Sequence, residues 1–473
     1  PAKCSSSMPT ASTSRNLKRR VVAVLSGFQG GAAGACLTAV AWLAGCGWTA
    51  KSPSPPWDSS ELVGAGERTE WWRELGDDAL DRHVGEALEN SPSFEVLAAR
   101  VEVGRAQARL IRAASEPTVM ARGARQFGER QEFETGGERA DVMRYAGLAT
   151  LAWEIDFWGR VRQLRLGARR HVEASEADED AGRLLLVGEI ARLDFARRRL
   201  AAEESVISDT LAANDDTVER LAEKEVAGII DESAVDRQRA EGDSLRREIE
   251  EVRRQRRVSE LSLDRLLGRD PGEAAWPQAP PMPDPPKTPE VVKTELLARR
   301  PDMRAAAARV ADSWHLSQAA TPDLLPKLRL GGLAAGKTMQ LTPSIDQWVA
   351  QVAPTLEIPL WDPDRLAEVK LREAEAYLAA IEFRESVLVA FEEVAVALTN
   401  LSAQASIERS ARSSAASLSK VYKRTSERFD NGLVSQLEVL EDQRRALQAQ
   451  RSALRSSEAR LSAWVSLREA MGG

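Results

Sequence analysis

The sequence predicts a mainly α-helical protein with a smaller β portion, built from two copies of one structural unit. Proline is absent between Thr118 and Asp270 and again after Pro363, whereas residues 271–289 contain eight prolines. Because proline breaks helices, the two proline-free windows can form long helices on either side of a connector. Short sequence matches also recur at nearly constant offsets of 203 to 209 residues. These observations indicate two repeats, each with a long helix.

The composition excludes several classes of protein. Hydrophobic residues make up 43% of the 473 positions and charged residues 29%, which is typical of a folded, water-compatible chain. The chain has only three histidines and three cysteines, and all the cysteines lie in its first tenth. Histidine-based catalytic sites and thiolate metal sites need several of these residues close together. We therefore expect no catalytic residue, no cofactor and no metal ligand.

Residues 1–45 have the pattern of a signal peptide. A cluster of basic residues precedes an apolar stretch that ends in Leu-Ala-Gly-Cys at Cys46. This ending resembles the bacterial lipobox, whose cysteine is lipidated and becomes the first residue of the mature chain. Cys46 is therefore the candidate lipidation site, with a plain signal peptide or a single anchor helix as the alternative. Residues 46–69 have the polar composition of a tether between a lipid anchor and a folded body.

Cleavage before Cys46 would change the charge of the chain. Residues 1–45 carry five basic and no acidic side chains, so the mature chain would have 60 basic and 72 acidic ones, a net charge of -12. Because nucleic-acid binding relies on basic side chains that neutralise phosphates, we expect no nucleic-acid partner.

Three matches in the same order define the repeat. The matched pairs are Ala98–Val101 with Ala307–Val310, Trp153–Trp158 with Leu356–Trp361, and Lys224, Gly228 and Val235 with Arg428, Gly432 and Val439. One short match would be chance, whereas three in order indicate a duplication. We assign residues 70–270 to the first repeat, 271–289 to the connector and 290–473 to the second repeat.

Each repeat has the same predicted plan of a helix, two strands and a long helical hairpin. The first helices are expected at about 73–114 and 290–320. The strands are predicted where apolar and polar residues alternate with a period of two, which indicates a strand with one apolar and one wet face. In an outer membrane the apolar face would contact lipid outside the barrel and the wet face would contact water inside it. Ordinary soluble hairpins give the same pattern. The alternating stretches are Val119–Phe127, Tyr145–Phe157, Lys327–Leu330 and Gln351–Leu360.

The long helices are predicted at Arg160–Ala227 and Arg365–Asn431, which contain 68 and 67 residues without proline. At 1.5 Å per residue each would span about 100 Å, and their apolar spacing is typical of coiled-coil packing. Gly228 and Gly432 then supply the left-handed residue that ends a helix. A second helical segment of about 40 residues follows each glycine.

Four motifs carry a family resemblance. They are Trp153–Arg160 (WEIDFWGR), Leu297–Asp302 (LARRPD), Pro359–Asp362 (PLWD) and Arg428–Gly432 (RFDNG). Together with the duplication, they make the chain resemble the TolC-like outer membrane factors, in the lipoprotein branch that serves resistance-nodulation-division efflux systems. The resemblance extends from about Glu70 to the C-terminus.

The resemblance implies a fold, a location and partners. We expect a homotrimer in the bacterial outer membrane, in which each protomer gives four strands to a twelve-stranded barrel and two hairpins to a long periplasmic α-barrel. Its expected partners are outer-membrane lipid, a periplasmic adaptor (membrane fusion) protein and an inner-membrane resistance-nodulation-division pump. The function implied is a passive exit duct for small molecules. The alternative is a periplasmic coiled-coil lipoprotein acting as adaptor or scaffold, although an adaptor should have one helical hairpin rather than two.

The resemblance also implies two functional sites. The turns of the hairpins would form the tip at which the adaptor docks, and the alternative is that their glycines only make the turn. The docking residues are Lys224, Gly228, Arg428, Gly432 and Leu433.

The second implied site is a periplasmic gate formed by Glu438 and Glu441. These acids correspond to the pair that rings the closed opening in relatives, and a trimer would stack them as two rings of three carboxylates. For Glu438 a capping role is the alternative, because Ser435 three residues earlier completes a capping-box pattern. The first repeat has Ala234 and Arg237 at the corresponding positions.

Overall fold

The computed structural model describes most of the chain after the predicted tether: residues 70–130, 140–273, 275–286, 299–337 and 347–473. The predicted signal peptide, the tether and Cys46 lie outside the described residues. The described helices are α1 (Asp78–Asn90), α2 (Pro92–Ala113), α3 (Arg160–Val226), α4 (Glu232–Leu267), α5 (Pro301–Ala320), α6 (Pro363–Asp430) and α7 (Gln436–Met471). The described strands are β1 (Thr118–Arg130), β2 (Ala140–Ile155), β3 (Lys327–Lys337) and β4 (Gln347–Glu357).

The two proline-free windows form the long helices that the sequence predicts. Helix α3 has 67 residues and α6 has 68, so each is about 100 Å long. Asp362 caps α6 by accepting a hydrogen bond from the backbone N–H of Arg365 at 3.2 Å, and Pro363 occupies the first helical position. The predicted mainly helical fold with a small β portion is confirmed.

The predicted single helix at about 73–114 was wrong. A short 3-10 turn at Trp71–Leu75 is followed by α1 and α2, which are separated at Ser91. Ser91 is buried and extended, and Pro92 starts α2. Proline suits the first position of a helix but not its interior, because it lacks the backbone N–H, so the chain turns here.

The helices pack in a fixed lateral order. Beside the strands, α2 packs on α3, α3 on α5, and α5 on α6. Further along the long helices, α4 pairs with α3 and α7 pairs with α6, which makes two hairpins. Helix α7 also packs on α3 and thereby joins the two hairpins.

The main hydrophobic core lies where the first turn of the described chain meets the helical hairpins. Trp464 of α7 is fully buried, and its ring centre lies 5.4 Å from that of Trp71 in an edge-to-face arrangement. Phe195 of α3 is also fully buried in this cluster. Large aromatic side chains contribute much of the buried apolar area, so this cluster fixes the base of the hairpins.

The four described strands form one antiparallel sheet in the order β1, β2, β3, β4. Side chains of paired residues share a face, so the register defines two surfaces. One is apolar: Val119, Ala121, Gly123, Gly147, Ala149, Leu151, Trp153, Ile155, Leu328, Leu330, Gly332, Ala334, Gly336, Trp348, Ala350, Val352, Pro354 and Leu356. The opposite face carries the charges Arg122, Glu154, Lys327, Arg329, Lys337 and Glu357, while Arg125 stands at the far end of the apolar face.

In the sequence, the alternation of apolar and polar residues is weaker in β1 and β2 than in β3 and β4, and this sheet explains the difference. Its apolar face in β1 and β2 is made largely of small residues, such as Ala121, Gly123, Gly147 and Ala149, which give little contrast in a hydropathy pattern. An apolar face opposite a charged face is the arrangement expected of strands between lipid and water.

Candidate docking tip and gate

Each helical hairpin has one turn between its two helices, and the two turns have the same backbone structure. Gly228 has φ +70° and Gly432 has φ +72°, both in the left-handed region. The N–H of Ile229 donates to the carbonyl oxygen of Lys224 at 2.9 Å, and the N–H of Leu433 donates to that of Arg428 at 2.9 Å. This is a Schellman motif, which satisfies the last carbonyl groups of α3 and α6 and favours glycine at its left-handed position.

Apolar side chains project from both turns. Ile229 and Leu433 are 71% and 67% exposed, and Val226 before the first turn is 90% exposed. Among the described residues, nothing lies within 4 Å of a Cβ placed on Gly228 or Gly432. The tip of each hairpin is therefore an open surface with apolar groups at its centre.

The two turns of one chain lie side by side. The Nζ of Lys224 lies 4.8 Å from the ring centre of Phe429, so a cation–π contact joins the tips of the two hairpins. Arg220 of α3 forms an ion pair with Asp430 of α6 at 3.6 Å. The structure thus brings together Lys224, Gly228, Arg428, Gly432 and Leu433 at one end of the molecule.

A buried amide cluster lies below the tip and was not anticipated as a site. The Nε2 of Gln238 donates to Oδ1 of Asn214 at 2.6 Å, and the Nδ2 of Asn214 donates to the carbonyl oxygen of Gln238 at 3.2 Å. The Nε2 of Gln436 donates to Oε1 of Gln238 at 2.8 Å. Helices α3, α4 and α7 are joined by this cluster. The sequence carried one signal of it, because Asn214 interrupts an otherwise apolar heptad track.

The two predicted gate acids lie in the first turns of α7. The backbone N–H of Glu438 donates to the Oγ of Ser435 at 3.4 Å, which is the N-cap half of a capping box. The side chain of Glu441 is half exposed and accepts a hydrogen bond from Arg445 at 3.3 Å. The next residue, Asp442, accepts a hydrogen bond from Thr425 of α6 at 2.7 Å.

Ion pairs join the two hairpins above this region. Arg451 of α7 reaches Glu203 of α3 at 2.6 Å and Glu248 of α4 at 2.5 Å. Burial alone would raise the pKa of Glu203. The hydrogen bond from Arg451 and the charges of Arg455 and Arg199 outweigh burial and hold the pKa of this carboxyl below its usual value. A buried carboxylate surrounded by three arginines stays ionised and ties α3 to α7.

Buried charges also hold the proline-rich connector. Arg197 and Arg198 of α3 are almost fully buried beside Asp194. Each guanidinium also donates to a connector carbonyl, to that of Pro277 at 3.3 Å and that of Pro281 at 3.1 Å. These contacts are structural, and sequence patterns did not predict them.

Comparison with known proteins agrees with this architecture. The family model described as outer membrane efflux protein matches residues 83–269 and 292–473. The chain belongs to the outer membrane efflux protein family. The match covers most of both halves of the chain and identifies it as an outer-membrane efflux channel rather than an adaptor or scaffold.

Several curated proteins are similar to this efflux protein over most of their length. Outer membrane protein OprJ of Pseudomonas aeruginosa is 30% identical over 424 residues, which cover 85% of this chain and 86% of OprJ. The pyoverdine export outer membrane protein OpmQ of Pseudomonas putida is 30% identical, with 85% and 87% covered. The probable outer membrane lipoprotein SilC of Salmonella typhimurium is 23% identical, with 87% and 89% covered.

Solved structures support the fold of this efflux protein. The CmeC outer membrane channel of Campylobacter jejuni matches with a TM-score of 0.78 at 19% identity, covering 89% of this chain and 91% of CmeC. The outer-membrane channel OprN matches with a TM-score of 0.76 at 23% identity, covering 89% and 95%. The protein therefore has the fold of an outer-membrane channel. Its family and its curated relatives place it in the outer membrane.

Proposed function

We propose that three copies of this chain close into one conduit across the outer membrane. The conduit performs no chemistry of its own and releases small molecules that an inner-membrane resistance-nodulation-division pump delivers through a periplasmic adaptor. One observation carries this proposal. Within the described part of the protomer, the outer sides of β1 and β4 in the sheet, and of α2 and α6 in the helical layer, have no partner.

The sheet has two open edges. In the strand order of the described sheet, β1 and β4 each pair on one side only. Open edges expose unpaired backbone groups, and within a membrane no water is present to satisfy them. In a closed ring, pairing of β4 of each copy with β1 of the next would satisfy both edges of every copy.

Helix α2 presents an unpartnered apolar seam at one side of the helical layer. Its apolar residues follow one another at spacings of three and four, which is the pattern of coiled-coil packing. Leu110 is 70% exposed and Val103 is 56% exposed. The exposed seam consists of Val96, Ala99, Val103, Ala106, Leu110 and Ala113.

Helix α6 presents a matching seam at the other side. Leu371, Ala374, Leu378 and Ile381 follow the same spacing and are all exposed. Within this described helix, no residue before Ala390 is buried. The helix is long and apolar enough to cross a membrane by composition alone, but the three-and-four spacing favours packing against another helix instead.

These two seams explain closure into a ring. Because α2 and α6 lie at opposite sides of the helical layer, α6 of one copy can pack on α2 of the next, which is a head-to-tail interface. Strands β4 and β1 would meet in the same way. Three copies of a four-stranded sheet give twelve strands, enough for an open lumen, with the apolar face toward lipid and the charged face inside.

The tip and the gate belong to this proposal. We infer that the adaptor docks on Lys224, Gly228, Arg428, Gly432 and Leu433, because these residues belong to the two turns from which exposed apolar side chains project at one end of the hairpins. Glu441, which is half exposed, is the better candidate for a gate carboxylate, and Glu438 also serves the start of α7. Cys46 would carry the lipid that holds the strand end at the membrane, in keeping with the lipoprotein name of the relative SilC.

The two-repeat organisation is part of the same proposal. The family model matches in two segments, 83–269 and 292–473, which supports a first repeat at 70–270 and a second at 290–473 around the connector at 271–289. The strand pairs and long hairpins also recur in the same order.

The oligomeric state tests this proposal. We expect the purified protein in mild detergent to have three times the mass of one protomer. Leu378→Glu would place a carboxylate in each interface and is expected to give monomers, because an unpaired buried charge is costly. Val258→Glu is the matched control, since Val258 is 51% exposed on α4 and belongs to neither seam. A monomeric parent, or a trimer that tolerates Leu378→Glu as well as Val258→Glu, would contradict the proposal.

A further inference from the structure

A cavity of about 420 Å³ lies at the junction of the strands and the helices. Its walls come from the end of α2, the end of β2 and the first three turns of α3. The residues that matter here are Ser115, Trp153, Asp156, Arg162, Arg165 and Arg169. We call this cavity the junction pocket.

Three exposed arginines of α3 line the junction pocket. Arg162, Arg165 and Arg169 follow one another at spacings of three and four, so they share one face of the helix. Arg165 donates to the Oγ of Ser115. Among the described residues, none of the three guanidinium groups forms an ion pair. The neighbouring Arg170, by contrast, pairs with Glu173 at 2.6 Å.

The two acids that also line the junction pocket are already engaged. Glu154 accepts two hydrogen bonds from Arg160, both at 3.0 Å. Asp156 accepts the backbone N–H groups of Val161 and Arg162 at 3.0 and 2.8 Å, which caps α3. Backbone N–H groups satisfy Asp156 without neutralising it, so three arginines face one uncompensated carboxylate and leave a net positive charge around a cavity of ligand size.

The position of the junction pocket indicates which anion it would meet. Trp153 stands on the apolar face of the sheet and donates from its Nε1 to the carbonyl oxygen of Ser115 at 3.2 Å. The apolar face ends two residues later at Ile155, and Arg162 to Arg169 span about 10 Å of helix beyond it. Tryptophan at the end of an apolar strand marks the membrane boundary, and a headgroup layer is several ångströms thick. Because all three arginines line one pocket with Trp153, their guanidinium groups are placed at the boundary where headgroups lie.

We propose that the junction pocket binds the phosphate of a membrane phospholipid whose acyl chains lie along the apolar face of the sheet. The arginines supply the charge and the forked donors that phosphate oxygens accept. Trp153 covers the glycerol region next to the strand end. This inference rests on the proposed barrel, because it requires the apolar face to point toward lipid.

The pocket belongs to the first repeat only. At the corresponding start of α6, Arg365 pairs with Asp362 at 2.9 Å and Arg372 pairs with Glu375 at 3.0 Å. The second repeat therefore neutralises its own arginines, whereas the first leaves three available. A closed trimer would carry three such lipid sites, one for each protomer.

Lipid binding to the purified, delipidated full-length protein tests the inference. Native mass spectrometry would compare phosphatidylglycerol with diacylglycerol of the same acyl chains, and inorganic phosphate would be added as competitor. We expect phosphatidylglycerol to bind at least tenfold more tightly than diacylglycerol, since each arginine near the surface adds to the attraction. Phosphate alone at equal concentration should not displace it.

Variants separate charge from folding. Replacing Arg162, Arg165 and Arg169 together by glutamine is expected to remove the tenfold preference, and replacing them by lysine is expected to retain most of it. The matched control is the same replacement by glutamine of Arg237, Arg247 and Arg265, which are exposed on α4 and form no ion pair among the described residues. Equal binding of both lipids, an unchanged preference in the glutamine variant, or displacement by phosphate would overturn the inference. The mass of the same samples reports separately on the trimer, so failure of the pocket can be told from failure of the barrel.

Discussion

The ammonium group of Lys224 lies 4.8 Å from the ring centre of Phe429, at the point where the turns of the two helical hairpins meet. Lys224 lies in the last turn of α3 and Phe429 in the last turn of α6, so this contact joins corresponding parts of the two repeats. The tip is therefore a single surface made by both hairpins rather than two independent turns.

Replacing Lys224 by methionine is expected to loosen the tip. An exposed cation–π contact contributes about 0.5–1 kcal/mol, so hydrogen exchange at the amides of Ile229 and Leu433 should become up to about fivefold faster. Lys423→Met on the exposed side of α6 is the control and should leave both amides unchanged. Equal exchange in the parent and the Lys224 variant would mean that the contact does not hold the turns together.

Substitutions of Gly432 distinguish docking from turn formation. Gly432→Ala should destabilise the turn by about 1–2 kcal/mol, because the left-handed conformation is unfavourable for a residue with a Cβ. Gly432→Asn should be milder, since asparagine tolerates this conformation. If the glycine also makes room for an adaptor, the asparagine variant will have near-normal thermal stability but will not restore antibiotic resistance to a deletion strain. Full resistance with asparagine would leave Gly432 a turn residue only.

Glu441→Gln tests the gate. Removing three carboxylates from a constricted ring removes their mutual repulsion and their attraction for cations, so cation selectivity in planar bilayers should decrease. Glu438→Gln is the comparison and should leave the start of α7 intact, because the Ser435 cap uses the backbone N–H of Glu438 and not its side chain. The gate assignment fails if ion selectivity is the same in the parent and the Glu441 variant.

Acidification is expected to weaken the link between the hairpins at Glu203. The pKa of this carboxyl is below 4.5, its ordinary value, so its ionised form stabilises the fold. The contribution is present in full above about pH 4.5 and is lost as the pH falls through the lowered folded-state pKa. The free energy of unfolding should therefore fall more steeply between pH 6 and pH 3 in the parent than in Glu203→Gln. Parallel pH curves for the two proteins would show that Glu203 is not held ionised by its arginines.

The long elements could be predicted from sequence because their signals are local. The absence of proline predicted the long helices α3 and α6, and Gly228 and Gly432 predicted where these helices end. The strands of the second repeat alternate clearly, whereas small residues such as Gly123 and Gly147 obscured those of the first. The break at Ser91 was missed although Pro92 signals it, because proline suits the start of a helix and not its interior.

The polar interior could not be predicted because its partners are distant in sequence. Glu203 meets Arg451 across 248 residues, and Gln238 meets Gln436 across 198. A charged residue in a long amphipathic helix usually faces water, so the pattern favours an exposed position for Glu203. The packing of α7 on α3 brings Arg451 and Arg455 beside Glu203.

Conductance of the purified protein in planar lipid bilayers, with the number of copies counted by native mass spectrometry, tests the central claim most directly. The account predicts discrete conductance steps from a species of three protomers, and loss of those steps in Leu378→Glu but not in Val258→Glu. A protein that remains monomeric, or that inserts without conducting, would contradict the claim that three copies form an exit duct.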